Sequence, residues 1–217
     1  MKLTILGSGA STPKINNYTT SQILKIKNNY FLIDCGEGIQ MQLRKLKINF
    51  SKISCIFISH LHGDHYFGLI GLISTFRLLG RVSDLNIYAP KGLQELINLH
   101  LKLSQSWLNY RIIFHALTSK SQKIIIDNSD LSVKTIPLNH RIYTNGFLFE
   151  EKFNERNIKK SKIKEYNFKI EDLKKLKKGQ DVYLDDGTKL KNSAVLKNPK
   201  KSKKYAFCSD TAYNTNI

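Results

Sequence analysis

Residues His60-Leu61-His62-Gly63-Asp64-His65 place four groups able to ligate a metal ion within six positions. Two imidazoles stand two residues apart, and a carboxylate and a third imidazole follow side by side. Packing does not reward four hydrated polar groups at the end of an apolar run, because each must lose its water, so the cluster points to a ligand rather than to a core. Two pairs of donors suit two metal ions. Imidazole and carboxylate without thiolate favour zinc or a similar borderline ion over an iron–sulfur or structural thiolate site. Ions held this way bring the pKa of bound water toward neutrality and offset negative charge in a transition state, which is hydrolytic chemistry.

The elements that must position these groups are legible around them. Cys55 to Ile58 is an apolar run of the kind a buried strand uses, and the histidines begin where it ends. Gly63 is expected to let the backbone turn sharply between the two donor pairs. Lys2–Leu6, Ser21–Ile26 and Tyr30–Ile33 read as strands, the last two joined by a turn at Lys27-Asn28-Asn29. Gly7-Ser8-Gly9 lacks the third glycine of a dinucleotide loop and reads as a tight turn. Asp34 closes a strand, either capping a turn or holding a ligand histidine in one tautomer. Helices are expected over Ile39–Leu46, Leu69–Leu79 and Leu93–Leu103, and strands over Asn86–Ala89, Arg111–His115 and Lys123–Ile126. Leu131–Leu138 alternates into a strand that delivers His140, and Lys204–Cys208 is a strand that delivers Asp210. His100 and His115 have no partner in the sequence and read as structural.

Composition limits the partners. The 217 residues suffice for one domain with a sizeable core. Lys and Arg number 35 against 17 Asp and Glu, a net charge of +18. Such a chain attracts polyanions at long range, and nucleic acid is the natural one. Residues 152–204 hold seventeen lysines and one arginine against seven acidic residues, so +11 of the excess lies there. Within that stretch Ile170–Leu176 reads as a helix and Asp181–Lys191 as a hairpin turning at Asp186-Gly187, while Tyr166 and Phe168 could stack on a nucleotide or anchor the segment. Cys35, Cys55 and Cys208 make no paired framework and read as reduced thiols of a cytosolic protein. No signal segment opens the chain, and no run of about 18 apolar residues could span a bilayer.

His60-x-His62-x-Asp64-His65 resembles the signature of the metallo-β-lactamase superfamily, which implies an α/β fold of the αββα sandwich type. Ile33-Asp34-Cys35-Gly36-Glu37-Gly38-Ile39-Gln40, Gly68-Leu69-Ile70-Gly71-Leu72-Ile73-Ser74-Thr75 and Phe207-Cys208-Ser209-Asp210-Thr211-Ala212-Tyr213 narrow the resemblance to ribonuclease Z, the endonuclease that trims the 3′ trailer from precursor tRNA. The resemblance implies that His60, His62 and His140 hold one zinc, that Asp64 and His65 hold a second, and that Asp210 bridges them. The resemblance further implies that Asp64 doubles as the proton acceptor while a water activated by the ions attacks the phosphorus in line. The products it implies are a tRNA with a 3′-hydroxyl and a 5′-phosphorylated trailer. One branch of the family carries Pro-x-Lys-x-Arg-Asn near the site; this chain has Pro13-Lys14-Ile15-Asn16-Asn17.

The family pattern also calls for a second-metal histidine and further strands and helices beyond Asp210, so an incomplete C-terminal half is expected, unless a second copy supplies it. A homodimer, stronger binding of the first metal, and poor or absent cleavage by the chain as given are expected with it. The expected organisation is a single domain over 1–217 with a tRNA-binding arm inserted at about 152–204, its RNA contacts among Lys159, Lys160, Lys174, Lys175, Lys177 and Lys178. Lysines on such an arm would touch phosphates without reading bases. Two other functions remain open: a phosphodiesterase of the same superfamily acting on another substrate, and a non-catalytic tRNA-binding fragment.

Overall fold

Six short runs rich in Leu, Ile and Phe pair into one sheet in the computed structural model, which describes residues 1–152, 157–166, 168–184, 186–197, 201–213 and 215. Strands β1 (Lys2–Gly7), β2 (Ser21–Ile26) and β3 (Asn29–Ile33) are an antiparallel meander. Ile26 pairs with Asn29, leaving Lys27 and Asn28 as the turn, with Lys27 at a left-handed φ of 53°. Then come α1 (Ile39–Lys45), β4 (Ile53–Phe57), α2 (Gly63–Tyr66), α3 (Gly68–Leu78), β5 (Leu85–Pro90), α4 (Leu93–Leu103) and β6 (Ile112–Leu117). β3 to β6 are parallel neighbours, which requires crossovers, and the helices supply them.

The sheet is apolar on both faces, as strands between two layers must be. Leu32, Ile56, Ile58 and Ile87 face the helices and pack with Leu43, Leu72, Ile73 and Ile97 in one core. Each such side chain contributes about 1.5–3 kcal/mol relative to exposure. On the opposite face Phe57 stacks on Tyr88 at 5.0 Å, Tyr88 on His115 at 4.2 Å, and Phe57 meets Phe147 at 5.3 Å. His115 also lies 2.9 Å from Asn86 Oδ1, and burial lowers its pKa, so it is the structural histidine the sequence implied. His100 is exposed on α4.

The chain continues through β7 (Ile124–Asp127), β8 (Leu131–Pro137), β9 (Asn145–Glu151), α5 (Lys160–Glu165), α6 (Ile170–Lys177), β10 (Val182–Tyr183), β11 (Lys189–Leu190), α7 (Asn192–Val195) and β12 (Lys204–Phe207). β12, β9, β8 and β7 form a four-stranded sheet in that order and β10 pairs with β11, so among the described residues the fold is mixed α/β with three sheets. Two compact units are distinguished. The first is Met1–Ile124, Lys134–Leu148 and Ala206–Ile217, and the second is Ile125–Val133 with Phe149–Tyr205.

Inside the second unit a small core of Ile158, Leu176, Val182, Leu190, Val195 and Leu196 holds the basic segment together. Tyr166 and Phe168 pack against this core, which favours the anchoring role over nucleotide stacking. α6 carries Glu171 and Asp172 in its first turn and Lys174, Lys175 and Lys177 in its last, the arrangement that complements a helix dipole. β10 and β11 pair where the hairpin was expected, although Asp185 in its turn lies outside the described residues. So do 153–156 and 198–200 of the expected arm.

The expectation for Gly63 is corrected. It opens α2 without a left-handed φ, and a Cβ there would lie 2.2 Å from the ring of the exposed Phe67, a side chain able to swing aside. Gly68 is tighter still: a Cβ would sit 2.0 Å from the carbonyl oxygen of Gly36. Only backbone meets it there, and backbone cannot swing aside. Gly68→Ala is therefore expected to destabilise the fold by about 1–3 kcal/mol, read as a lower urea midpoint at unchanged m-value.

Candidate metal centre

The centre forms inside the first unit, at the ends of β4, β8 and β12, although its residues span 150 positions. β4 delivers His60 and His62, α2 carries Asp64 and His65, the turn after β8 carries His140, and the turn after β12 carries Asp210. One ligand atom from each of His60, His62, His140 and Asp210 lies within 4.8 Å of the others. His62 Nδ1 is 3.0 Å from His60 Nε2 and 3.2 Å from His140 Nε2. Zinc–nitrogen bonds of about 2.0–2.1 Å in a tetrahedron imply nitrogens about 3.3 Å apart, so these rings fit a zinc ion. Burial first, then the neighbouring imidazoles, lower the pKa of His60 to about 3, which leaves the ring neutral and its lone pair available.

Asp64 and His65 stand beside this set. His65 Nε2 is 3.5 Å from Asp64 Oδ2 and 3.8 Å from Asp210 Oδ1, while Asp210 Oδ2 is 3.9 Å from His60 Nε2. One oxygen of Asp210 thus faces each donor set. All six residues singled out as ligands meet here, although His65 and Asp64 lie outside the four-residue cluster.

The loop between β3 and α1 locks the ligands from below. Cys35 N–H donates to the His65 carbonyl at 2.8 Å, and Gly68 N–H donates to the Cys35 carbonyl at 2.9 Å. Asp34, fully buried at a left-handed φ of 55°, accepts from His65 Nδ1 at 2.7 Å, from Ser59 N–H at 2.7 Å and from the Ser59 hydroxyl at 2.9 Å. Of the two roles open to Asp34, the tautomer-holding one matches this geometry. Burial raises the Asp34 pKa against these hydrogen bonds. Burial would lower that of His65, but the hydrogen bond and charge of Asp34, with Asp64 and Asp210, outweigh it and hold the ring above its ordinary value.

Several partners were not foreseen from the sequence. Ser11 N–H donates to Asp64 Oδ2 at 2.8 Å, which ties the Pro13-Lys14 loop to the centre. Arg141 Nη2 lies 3.2 Å from His62 Nε2. The Ser59 hydroxyl meets both His60 and Ser209. Only the adjacency of Ser59, Arg141 and Ser209 to ligands could have suggested them.

Among the six proposed RNA contacts, Lys160, Lys174, Lys175, Lys177 and Lys178 are exposed, whereas Lys159 is half-buried and donates to the Ala194 carbonyl at 3.0 Å. Among the described residues no helix is long and apolar enough to cross a membrane.

A family model described as "Anti-Pycsar protein Apyc1" matches residues 1–156. A ribonuclease Z of Bacteroides thetaiotaomicron is 44% identical over 216 residues, covering 100% of this chain and 68% of that protein. The ribonuclease Z of Cytophaga hutchinsonii is 45% identical over 214 residues, 98% of this chain and 68% of that protein. Among solved structures, the short form of human tRNase Z superposes with a TM-score of 0.64 at 33% identity, over 69% of this chain and 64% of that one. The long-form RNase Z of yeast shares the fold, with a TM-score of 0.53 at 15% identity over 68% of this chain and 26% of that one. With the His and Asp donors assembled at the strand ends and similarity over nearly all of this chain and 68% of each of the two bacterial enzymes, the chain belongs to the ribonuclease Z family.

Proposed function

We propose that this chain is a zinc-dependent endoribonuclease that removes the 3′ trailer from precursor tRNA in the cytoplasm, leaving a 3′-hydroxyl on the tRNA. The observation that carries the reading is Asp210, which turns one carboxylate oxygen to each donor set. That arrangement suits two ions flanking one phosphodiester. His60, His62, His140 and Asp210 would hold the first, and Asp64, His65 and Asp210 the second. Bound zinc supplies Lewis acidity, acidifying a water and offsetting charge on the phosphoryl oxygens.

The chain's own groups then divide the work. His60 stays neutral and donates its lone pair. Asp34 holds the Nδ1 proton of His65 and turns Nε2 into the site. Ser11 N–H holds Asp64 Oδ2, which leaves Oδ1 to take the proton as attack proceeds. The lysine-rich segment grips the phosphates of the tRNA body.

The similarity to ribonuclease Z runs through the whole chain, lysine-rich segment included, whereas the other family model stops at residue 156. That contrast favours RNA over a small diester as substrate. Turnover of a small diester that ignores salt, without tRNA cleavage, would reverse the choice, and tRNA binding with no turnover at any zinc concentration would leave only a binding module.

The first donor set has four residues and the second three, so one zinc is expected to bind tightly and a second more weakly. Metal analysis after dialysis should find about one zinc per chain, and precursor-tRNA cleavage, poor at that one equivalent, should rise as zinc is added beyond it and vanish with chelator. Two equally tight ions, or cleavage indifferent to chelation, would overturn the assignment. The homodimer belongs to the same proposal, and light scattering should give twice the 25.0 kDa chain mass.

A further inference from the structure

We propose that Ser59 is a positioning residue that fixes the ring of His60 and couples it, through Ser209, to the turn that carries Asp210. Its hydroxyl has one proton and two lone pairs. It is fully buried and meets four polar atoms: Asp34 Oδ2 at 2.9 Å, Ser209 Oγ at 2.9 Å, His60 Nδ1 at 3.0 Å and His65 Nδ1 at 3.4 Å.

Donor arithmetic leaves one consistent pattern. Asp34 as a carboxylate only accepts, so the Ser59 proton goes to Asp34. The His65 Nδ1 proton goes there too, over the shorter 2.7 Å path. Ser59 oxygen is then free to accept twice, from His60 Nδ1–H and from Ser209 O–H. His60 therefore carries its proton on Nδ1 and presents a bare Nε2, the atom that faces His62 Nδ1 and Asp210 Oδ2. The Asp34–Ser59 pair thus sets the tautomer of one histidine in each donor set. Through Ser209, the same hydroxyl holds the turn bearing Asp210 against the loop bearing His60, across 150 positions of sequence.

The inference rests on the zinc assignment above, and its readouts separate the two. Nitrogen-15 spectra of the histidine rings, recorded on the zinc-loaded chain, report where each proton sits, and competition with a chelator gives the affinity for Zn2+ alone. In the unmutated protein His60 and His65 should both be protonated at Nδ1. In Ser59→Ala, His60 should lose that fixed tautomer, His65 should keep it through Asp34, and the tighter zinc affinity should fall about 10–100-fold, the size of effect expected when a ligand's hydrogen-bonding partner is removed. Ser59→Thr, which keeps the hydroxyl, should restore both. Ser209→Ala should leave the His60 tautomer as in the unmutated protein and, by freeing the turn that carries Asp210, weaken zinc binding less than Ser59→Ala does.

A His60 proton on Nε2 in the unmutated protein would overturn the proposal, and this readout needs no variant to fold. So would unchanged zinc affinity in Ser59→Ala, or equal losses in Ser209→Ala and Ser59→Ala. A chain that binds no zinc would instead sink the function proposed above.

Discussion

Asp210→Ala is expected to take precursor-tRNA cleavage below detection while leaving the protein folded. The side chain is half-exposed, at 51%, so its loss opens no cavity and strands no buried charge. Its two oxygens face His60 and His65, and with both gone each donor set loses a ligand. Removing the hydrogen-bonding partner of a ligand costs about 10–100-fold in metal affinity or activity, and losing the ligand itself exceeds that. The second set, reduced to Asp64 and His65, should no longer fill when zinc is added in excess, and the first should keep less than one zinc per chain through dialysis. Asp210→Asn, which keeps the shape and removes the charge, should fall between the two proteins in zinc retained per chain. Detectable cleavage by Asp210→Ala at the unmutated rate would remove Asp210 from the centre.

Neutralising Lys174, Lys175, Lys177 and Lys178 together is expected to produce the second large effect, on binding. Each lysine–phosphate pair contributes a slope of about 0.9 in log affinity against log salt, worth about fivefold at 0.15 M salt. Four such pairs would approach a 10³-fold reduction in tRNA affinity, and two would give about 30-fold. The slope itself should flatten by about 0.9 for every phosphate that is no longer held, which separates this mechanism from damage to the fold. α6 owes its place to Leu176 in the small core, which these changes spare. Turnover of a small phosphodiester should be unaffected. An unchanged salt slope would show that other residues carry the RNA.

What the sequence disclosed depended on how local each signal was. α4 runs over Leu93–Leu103 as its apolar spacing implied, because it buries one side of a regular helix, and β2 over Ser21–Ile26 as its place before the Lys27-Asn28-Asn29 turn implied. The ligands were legible because four of them fall within six residues and the others close apolar strands. α5 was missed: Lys160–Glu165 contains one apolar residue, Ile163, too little for a periodic signal, and helices this short depend on tertiary support. α2 was missed because Gly63 argued for a sharp turn, whereas it opens a four-residue helix. The Ser59–Ser209 contact, made across 150 positions, leaves no local pattern at all.

That long separation bears on how the protein is born. A ribosome adds about 5–20 residues per second, so the loop ending at His65 emerges on the order of ten seconds before Asp210. During that interval the nascent chain carries His60, His62, Asp64 and His65 without Asp210 to face both pairs. The parallel strands β3 to β6 also close over long loops and fold slowly. Asp210 can therefore join the earlier ligands only after β12 has been made.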